Sequence, residues 1–190
     1  MPTDGELVEL AHVAEQGVHP PDEMPFFVPW TDAIGKPGFV EGFVAFHLTQ
    51  RREWGPEQWH LLLGVWRAGE PVGTQGAQLT GAGSAETGSW IGERFQRHGI
   101  GTEMRAAMLA LLFDGLGLEL ATSGAFDHNV ASFRVSEKLG YEPAAEDVVS
   151  PRGVPMRRRN FRLTRERWES RERPSVEIEG LEPCLPLFGL

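Results

Sequence analysis

The sequence contains a single cysteine, Cys184, and no long apolar run. One cysteine cannot form an internal disulfide, which is compatible with a reducing compartment. A helix that crosses a membrane needs roughly 18 uninterrupted apolar residues, and no window of the sequence reaches that length. The amino terminus, MPTDGELVEL, also lacks the basic start and the apolar stretch of an export signal. We therefore expect a cytoplasmic protein with no membrane partner.

Internal repeats, low-complexity tracts and metal-ligand spacings are absent as well. No cluster of His and Cys has the spacing of a metal site, so we expect no metal. The 190 residues, 41% of them hydrophobic, supply enough apolar material for one core but not for a second full domain. The sequence predicts one domain over residues 1–173. The apolar tail, residues 174–190, holds three prolines and is expected to lie in extended form on the domain or on a partner subunit.

The net charge of -9 is unevenly distributed along the chain. Residues 1–150 hold 9 Lys and Arg against 21 Asp and Glu, whereas residues 151–173 hold nine Arg against three Glu. An acidic body argues against a broad nucleic-acid footprint and favours cationic partners such as amines. The Arg-rich stretch could bind RNA or another anion, but alternating Arg and Glu is more typical of a solvated strand and helix face. We expect no nucleic-acid partner.

The first part of the chain reads as two helices joined by a proline-rich loop. Asp4 is a candidate cap for a helix that ends at Gly17. The segment HPPDEMPFFVPWTD cannot be regular helix, so we expect a loop that carries three aromatic residues over the surface: Phe26, Phe27 and Trp30. Apolar residues at helical spacing after Gly38 predict a second helix that closes near Gly55.

The rest of the chain alternates strands and helices. QWHLLLGVW and PVGTQGAQL read as a hairpin, and ETGSWIG as a further strand. An amphipathic helix follows from Ile100 to about Gly115, then the strand LELATSGAF and a helix capped by Asn129 and ended by Gly140. YEPAAEDVVS and MRRRNFRLT predict two last strands. This order predicts a mixed α/β sheet with helices on both faces.

The segment ERFQRHGIGTEM, residues 93–104, places two glycines between a strand and a helix. A Walker loop needs a lysine after its second glycine, but Thr102 follows Gly101. A dinucleotide fingerprint needs a third glycine where Met104 stands. The remaining pattern, Gln96-x-x-Gly99-x-Gly101, exposes backbone amides at a helix start, which suits a pyrophosphate. Alternatively, the glycines only shape a tight helix entry.

Together with this turn, the segment NVASFRVSEKLGYE resembles the Gcn5-related N-acetyltransferase (GNAT) superfamily. There the turn reads Gln/Arg-x-x-Gly-x-Gly/Ala, and the next helix starts with Asn and ends with Leu-Gly-Phe/Tyr. The similarity is strong over residues 86–142. The helix pattern is most similar to the RimJ/RimL branch, which acylates protein N-terminal amines and small amines. MPFFVPWTD and GIGTEMRAA are similar to an actinobacterial subgroup that includes a succinyl-CoA-dependent member.

The resemblance implies a mixed, mainly antiparallel twisted sheet flanked by helices, and acetyl-CoA or succinyl-CoA as co-substrate. It implies that coenzyme A is held by the turn, by the strand before it and by the start of the helix after Phe126. The residues so assigned are Gln96, Arg97, His98, Gly99, Ile100, Gly101 and Thr102 in the turn, Ser89, Trp90 and Ile91 in the strand, and Asn129 and Ser132 in the helix. Trp90 is also a candidate for simple core packing.

The catalytic residues are less clearly marked. Many members carry a tyrosine seven residues after the asparagine as the acid for the thiolate, but here that residue is Ser136 and the only tyrosine is Tyr141. Ser132 is the better candidate to hydrogen-bond the sulfur. Glu86 stands where related enzymes deprotonate the amine, and Asp127 and Glu41 are its rivals. His47 lies beside an apolar helix stripe, so we expect a satisfied core histidine.

Members of this superfamily normally begin with a strand, whereas this chain opens on a helix. The tail around Val176 to Ile178 could cover the sheet edge that such a strand would occupy. An uncovered edge invites pairing with another chain, so the sequence predicts a homo-oligomer.

The expected function is transfer of an acetyl or succinyl group from coenzyme A to a primary amine by direct attack. A noncatalytic acyl-CoA-binding sensor or assembly module is the alternative, because the tyrosine is missing. The acceptor stays open, since loops such as residues 18–38 determine its choice.

Overall fold

The computed structural model describes all residues from Met1 to Leu190. Its centre is a seven-stranded sheet with the order β1-β2-β3-β4-β7-β5, in which β6 also pairs with β7. Only β3 and β4 are parallel neighbours. The strands are β1 (His60–Arg67), β2 (Glu70–Gly81), β3 (Ser84–Ile91), β4 (Leu120–Phe126), β5 (Glu142–Pro143), β6 (Asp147–Val149) and β7 (Met156–Thr164). The predicted mixed sheet and the β1–β2 hairpin are confirmed.

Helices α1 (Asp4–Glu15) and α2 (Phe39–Arg52) cover one face of the sheet, the α1 face. Thr3, not Asp4, caps α1: its hydroxyl accepts from the Glu6 N–H at 3.3 Å, and the Glu6 carboxylate accepts from the Thr3 N–H at 2.6 Å. The sequence analysis placed the cap at Asp4, which is also a capping residue type. Thr3 is the cap because it forms a reciprocal capping box with Glu6, which satisfies two helix-start amides.

The aromatic residues of the loop between α1 and α2 pack inward instead of lying over the surface. Trp30 lies 5.6 Å from Trp90 and 6.1 Å from Phe43, between ring centroids. Phe27 contacts Phe126 edge to face at 5.1 Å. Burial of large aromatic area outweighs the loop's irregular backbone here, so these rings close the α1 face.

Helices α3 (Ile100–Ala110) and α4 (Val130–Leu139) pack on the opposite face, the α3 face. A π-helical turn, Leu111–Gly115, extends α3 and buries Leu112 and Phe113 fully. The short helix α5 (Arg165–Glu169) follows β7 and buries Trp168 in the same core. The predicted caps of α4 are confirmed, since Asn129 accepts from the Ser132 N–H at 3.1 Å and Gly140 ends the helix with a φ of 88°.

Strands β3 and β4 pair only over their first residues, Ser84–Glu86 with Leu120–Thr122. Beyond them β3 continues to pair with β2 and β4 with β7, so the two strands separate. We call this opening the split. Residues alternate across a strand, so Ser89 and Ser123 face α3 while Glu86 and Phe126 face α1.

The first element of the chain is α1, and β1 is an edge strand of the sheet. Residues Val176 to Gly180 lie beside β1 and α3 without pairing with the strand. The tail was expected to be extended, but its last part forms a 3-10 helix, Glu182–Phe188, because Phe188 packs on Trp54 and Trp59 at 5.1 and 5.3 Å. YEPAAEDVVS forms two short strands, β5 and β6, instead of one. No helix is both long and apolar enough to cross a membrane.

Candidate functional site

The glycine turn contains a row of backbone N–H groups that have no partner in the protein. Arg97 has a φ of 64° and Gly99 a φ of 83°, and residues 97–99 are exposed. None of the five N–H groups from Arg97 to Gly101 donates to an acceptor within the protein. The Thr102 N–H donates to the Gly99 carbonyl at 3.0 Å, so the amide expected as the sixth donor is already paired. Such a concave row of amides at a helix start attracts anions.

Side chains and close packing hold this turn in place. The Gln96 amide nitrogen donates to the Val18 carbonyl at 2.7 Å and to the Ile91 carbonyl at 2.9 Å. Gln96 therefore ties the turn to β3 and to the segment after α1. A Cβ at Gly92 would lie 2.7 Å from Val13, so only glycine fits at this entry to the turn.

The α3 face of the split carries a buried arginine. Arg105, on the second turn of α3, is only 4% exposed. Its Nη1 donates to the Ser123 hydroxyl at 2.9 Å, and its Nη2 lies 3.4 Å from the Ser89 hydroxyl. Gly101, one helical turn earlier, lies next to Ile91 and Val135, where an added Cβ would make ordinary contacts of 3.5 and 3.7 Å. The α3 face of the split therefore carries two hydroxyl groups and one buried cation.

Trp90 faces away from this lining. Its ring is 8% exposed and belongs to the aromatic cluster under α1 and α2. Core packing, the alternative weighed for this residue, is therefore the role of the side chain, and only the backbone of Trp90 remains available to a ligand.

Helix α4 carries two serines, of which Ser132 is partly exposed and Ser136 is buried. Ser132 is half-buried in the first turn, and its hydroxyl has no partner in the protein. Ser136, where many relatives have tyrosine, is fully buried with an unpaired hydroxyl. The Tyr141 hydroxyl lies 3.3 Å from the Thr87 hydroxyl in the core. No tyrosine is therefore free to act in the split.

The α1 face of the split carries a carboxylate. Glu86 lies 3.5 Å from Arg158, whose guanidinium also binds Asp147 at 2.6 Å and stacks on the ring of Phe27 at 4.8 Å. On β4, a Cβ at Gly124 would meet Asn160, Arg158 and Phe27 at 2.9 to 3.2 Å. A Cβ at Gly88 would meet nothing within 4 Å, so there is open space beside Glu86.

The rival carboxylates are placed less well for proton transfer. Asp127 accepts from Arg157 at 2.6 Å and from Arg159 at 2.5 Å. The hydrogen bond from Arg157, followed by that from Arg159, holds the pKa of the Asp127 carboxyl below its usual value. A carboxylate so stabilised is a poor base. Glu41 is exposed on α2 and makes no ion pair or side-chain hydrogen bond.

His47 is confirmed as a core histidine. It is 5% exposed, and its Nδ1 lies 2.9 Å from the Phe43 carbonyl within α2. Burial lowers the pKa of the imidazole, which favours its neutral form. No group of three or more His, Cys, Asp or Glu side chains is arranged to hold a metal ion.

A separate cavity of about 610 Å³ lies between β1, α3 and the C-terminal residues. Its walls are mostly apolar and include Leu61, Leu63, Met104, Met108, Val176 and Ile178. Ile100 and Glu103, at the start of α3, also line this cavity, whereas Ser89, Arg105 and Ser123 do not. The cavity therefore borders the amide row and does not include the split.

Sequence reasoning missed Arg105 and Ser123. An arginine in a helix is ordinarily solvated, so Arg105 was not considered. One signal was present: Arg105 stands four residues after Gly101 and between Met104 and Met108, on the side of the helix that packs on the sheet. Ser123, in turn, is a hydroxyl in an otherwise small and apolar strand, LATSGAF.

The structure is similar to solved acetyltransferases. RimJ of Mycobacterium smegmatis in complex with CoA-disulfide aligns with a TM-score of 0.68 at 17% identity, over 90% of this chain and 82% of that one. The Salmonella typhimurium protein yncA with acetyl-CoA aligns with a TM-score of 0.62 at 13% identity, over 93% and 96%. The ribosomal-protein-alanine N-acetyltransferase of Brucella melitensis gives 0.65 at 15% identity, over 86% and 96%.

These identities are too low to carry more than the fold. A sequence model described as the acetyltransferase (GNAT) domain matches residues 11–142. That match spans the turn with its five unpaired amides, the split between β3 and β4, and the capped start of α4. The chain therefore belongs to the GNAT acetyltransferase family.

Proposed function

We propose that the protein is an acyl-CoA-dependent N-acyltransferase that moves an acetyl or succinyl group to a primary amine. One observation carries the proposal: five consecutive backbone N–H groups, Arg97 to Gly101, have no acceptor in the protein and lie where α3 begins. Amides in this arrangement, aided by the positive end of the helix dipole, are suited to the diphosphate of coenzyme A.

From the diphosphate, the pantetheine arm runs along β3. Beyond Glu86 that strand has no neighbour on the β4 side, so its free backbone groups can pair with the amides of the arm as with an extra strand. The arm passes Ile91 and Ser89, and its sulfur ends in the split. Asn129 and Ser132, at the start of α4, flank the arm from the other side.

Glu86 is the proposed general base. It lies on the α1 face of the split beside the open space at Gly88, so an amine arriving there can lose its proton to the carboxylate directly or through water. The neutral amine attacks the thioester carbonyl, and unpaired N–H groups of β3 hold the oxyanion. Ser132 donates a hydrogen bond to the sulfur.

The acceptor belongs to the class of primary amines, either a small molecule or a protein N-terminus or lysine, as the likeness to the RimJ/RimL branch suggests. The acidic body supports a cationic acceptor. The protein forms a homo-oligomer in this proposal, which the unpaired edge of β1 supports. The C-terminal tail, residues 174–190, packs on its own domain, which the contacts of its apolar side chains with the core support.

The test is an assay of free thiol release from acetyl-CoA and succinyl-CoA by the purified full-length protein, with a panel of amines and N-terminal peptides. We expect turnover with at least one combination of acyl-CoA and amine. Tight binding of acyl-CoA without turnover on any amine would contradict the proposal and favour a noncatalytic sensor or assembly module.

A further inference from the structure

Arg105 carries a buried positive charge that has no negative partner in the protein. Its side chain makes no ion pair, and its Nε has no hydrogen-bond partner. A guanidinium group has five N–H donors. The two contacts to Ser123 and Ser89 use two of them, which leaves three without an acceptor.

A buried, uncompensated charge is unfavourable, because burial removes its hydration and nothing replaces it. If Arg105 only filled space between α3 and the sheet, an apolar side chain of similar size would serve better. The charge therefore points to a negative partner that is present only when the site is occupied.

The position of Arg105 identifies that partner. The coenzyme's diphosphate belongs at the unpaired amides of residues 97–101, one helical turn nearer to the start of α3. Arg105 lies deeper, at the beginning of the split between Ser89 on β3 and Ser123 on β4. In the proposed pose the thioester end of the arm reaches this depth.

We propose that Arg105, with the hydroxyl groups of Ser89 and Ser123, stabilises the thiolate of coenzyme A as it leaves. This inference rests on the proposed function. Both hydroxyl groups accept from the guanidinium and have no other acceptor in the protein, so each can direct its own hydrogen towards the sulfur. The cation strengthens these donors, because charge-assisted hydrogen bonds are stronger than neutral ones.

The reaction balances without an acid that donates a proton to sulfur. The amine lone pair forms the N–C bond, and Glu86 or water takes the amine proton. The C–S bond breaks, and its electron pair stays on the sulfur, which leaves as a thiolate held by the cationic group. Arg105 keeps its proton throughout. The thiolate is protonated later by solvent, which accounts for a site in which Ser136 replaces the tyrosine and the Tyr141 hydroxyl lies against Thr87 in the core.

The two faces of the split then place different groups beside the two partners. The carboxylate of Glu86 lies on the α1 face, where a cationic amine arrives, and the guanidinium of Arg105 lies on the α3 face, where the thiolate departs. The two side chains lie on opposite faces of β3, and the cation that contacts Glu86 is Arg158, at 3.5 Å.

The test measures the pKa of the thiol of bound coenzyme A, from the pH dependence of thiolate absorbance, in the wild type, Arg105→Lys and Arg105→Gln. Arg67→Gln is the control, because Arg67 is exposed on β1 and makes no ion pair. A free thiol has a pKa of about 8.5, and a neighbouring cation lowers it. We expect a lowered value in the wild type and in Arg67→Gln, a rise of about one unit or more in Arg105→Gln, and an intermediate value in Arg105→Lys.

The turnover number with acetyl-CoA should fall at least about tenfold in Arg105→Gln, in line with the loss of a charged hydrogen-bond group. The melting temperature of the ligand-free protein should stay or rise, because an unpaired buried charge is removed. A bound thiol in the wild type with an ordinary pKa would overturn the inference, and that result needs no variant. So would a loss of activity restricted to succinyl-CoA, which would assign Arg105 to the acyl carboxylate. A lowered thiol pKa without turnover on any amine would instead overturn the proposed function and leave only the contact between Arg105 and the bound thiolate.

Discussion

The proposed coenzyme side and the proposed acceptor side of the split are built in different ways. The coenzyme side comes mainly from one continuous segment, residues 88–105, to which β4 and α4 add a few side chains, and it offers mainly backbone N–H groups. The acceptor side is assembled from side chains of the loop before α2, β3, β4 and β7, which arginine–carboxylate pairs join. A backbone site accepts any ligand with the same phosphate geometry, whereas a side-chain site changes with each substitution. The difference explains how one fold can keep its co-substrate and vary its acceptor.

The largest expected effect concerns Gly101. A leucine there would project between Ile91 and Val135 and keep a phosphate from the amides, whereas an alanine fits at 3.5 and 3.7 Å. Loss of two charged hydrogen bonds, at roughly 2 kcal/mol each, weakens coenzyme A binding about 1,000-fold. Calorimetric titration of Gly101→Leu with coenzyme A measures this loss of affinity, with Gly101→Ala as the matched control. Equal affinities in the two variants would contradict the assignment of the coenzyme side.

The next effect separates chemistry from binding on the acceptor side. Glu86→Gln should lower the turnover number about 100-fold, which is typical for loss of a general base. Its affinity for coenzyme A should stay unchanged, because Glu86 faces α1. Asp127→Asn is the control. Because Asp127 is held by Arg157 and Arg159, this substitution should lower the turnover number less than tenfold. If Asp127→Asn proved the more damaging change, the two carboxylates would have to exchange roles.

The difference between the two sides also decided what the sequence could predict. The turn and the α4 cap were predictable, because positive φ values select glycine and a helix start selects asparagine. Both are local requirements. The pairing of Asp127 with Arg157 and Arg159 joins residues about thirty positions apart, through a strand register that no local pattern fixes.

Arg105 was missed for a related reason. Its burial depends on where α3 lies over the split, which is a tertiary property. For Trp90 the sequence identified the strand and left the side chain open between a contact with coenzyme A and core packing, and the structure shows core packing.

A third prediction concerns the pH dependence of the stability that the arginine–carboxylate pairs of the acceptor side contribute. Hydrogen bonds from Arg157 to Asp127 and from Arg158 to Asp147 lower the pKa values of both carboxyl groups. A lowered carboxyl pKa contributes stability that is present above the unfolded value, about 4, and is lost as the pH falls through the folded value. These pairs should therefore stay intact from pH 7 to 5.

Loss of stability in that range should instead come from His47 and His60, whose pKa values are lowered by burial. Their neutral forms stabilise the fold above the unfolded value of about 6.5, and this contribution is lost as the pH falls, at up to about 1.4 kcal/mol per pH unit for each proton. Between pH 7 and 5, the melting temperature of His47→Gln should fall less steeply with decreasing pH than that of the wild type. Asp127→Asn should lie below the wild type by a constant amount between pH 7 and 5, and this difference should shrink below pH ~4, where the wild type loses the contribution of the ionised carboxylate. A difference that changes between pH 7 and 5 would contradict this assignment.

The smallest effect concerns the link between Asp32 and Arg152, which ties the loop before α2 to the turn between β6 and β7. The pair is exposed, so Arg152→Gln should shift the melting temperature by no more than a few degrees. If the loop forms part of the acceptor pocket, the KM for the amine should rise a few-fold while the KM for acyl-CoA stays constant. An equal rise in both would show that the two sides are not independent.

The central claim is that the unpaired amides of residues 97–101 bind the coenzyme's diphosphate. Nitrogen–proton correlation spectra of the labelled protein, recorded with increasing coenzyme A, test it residue by residue. We expect large downfield proton shifts for the amides from Arg97 to Gly101 and a small one for Thr102, which already donates to Gly99. Saturable binding that leaves these five signals in place, with shifts confined to β1 and the C-terminal residues that line the separate cavity, would contradict the account.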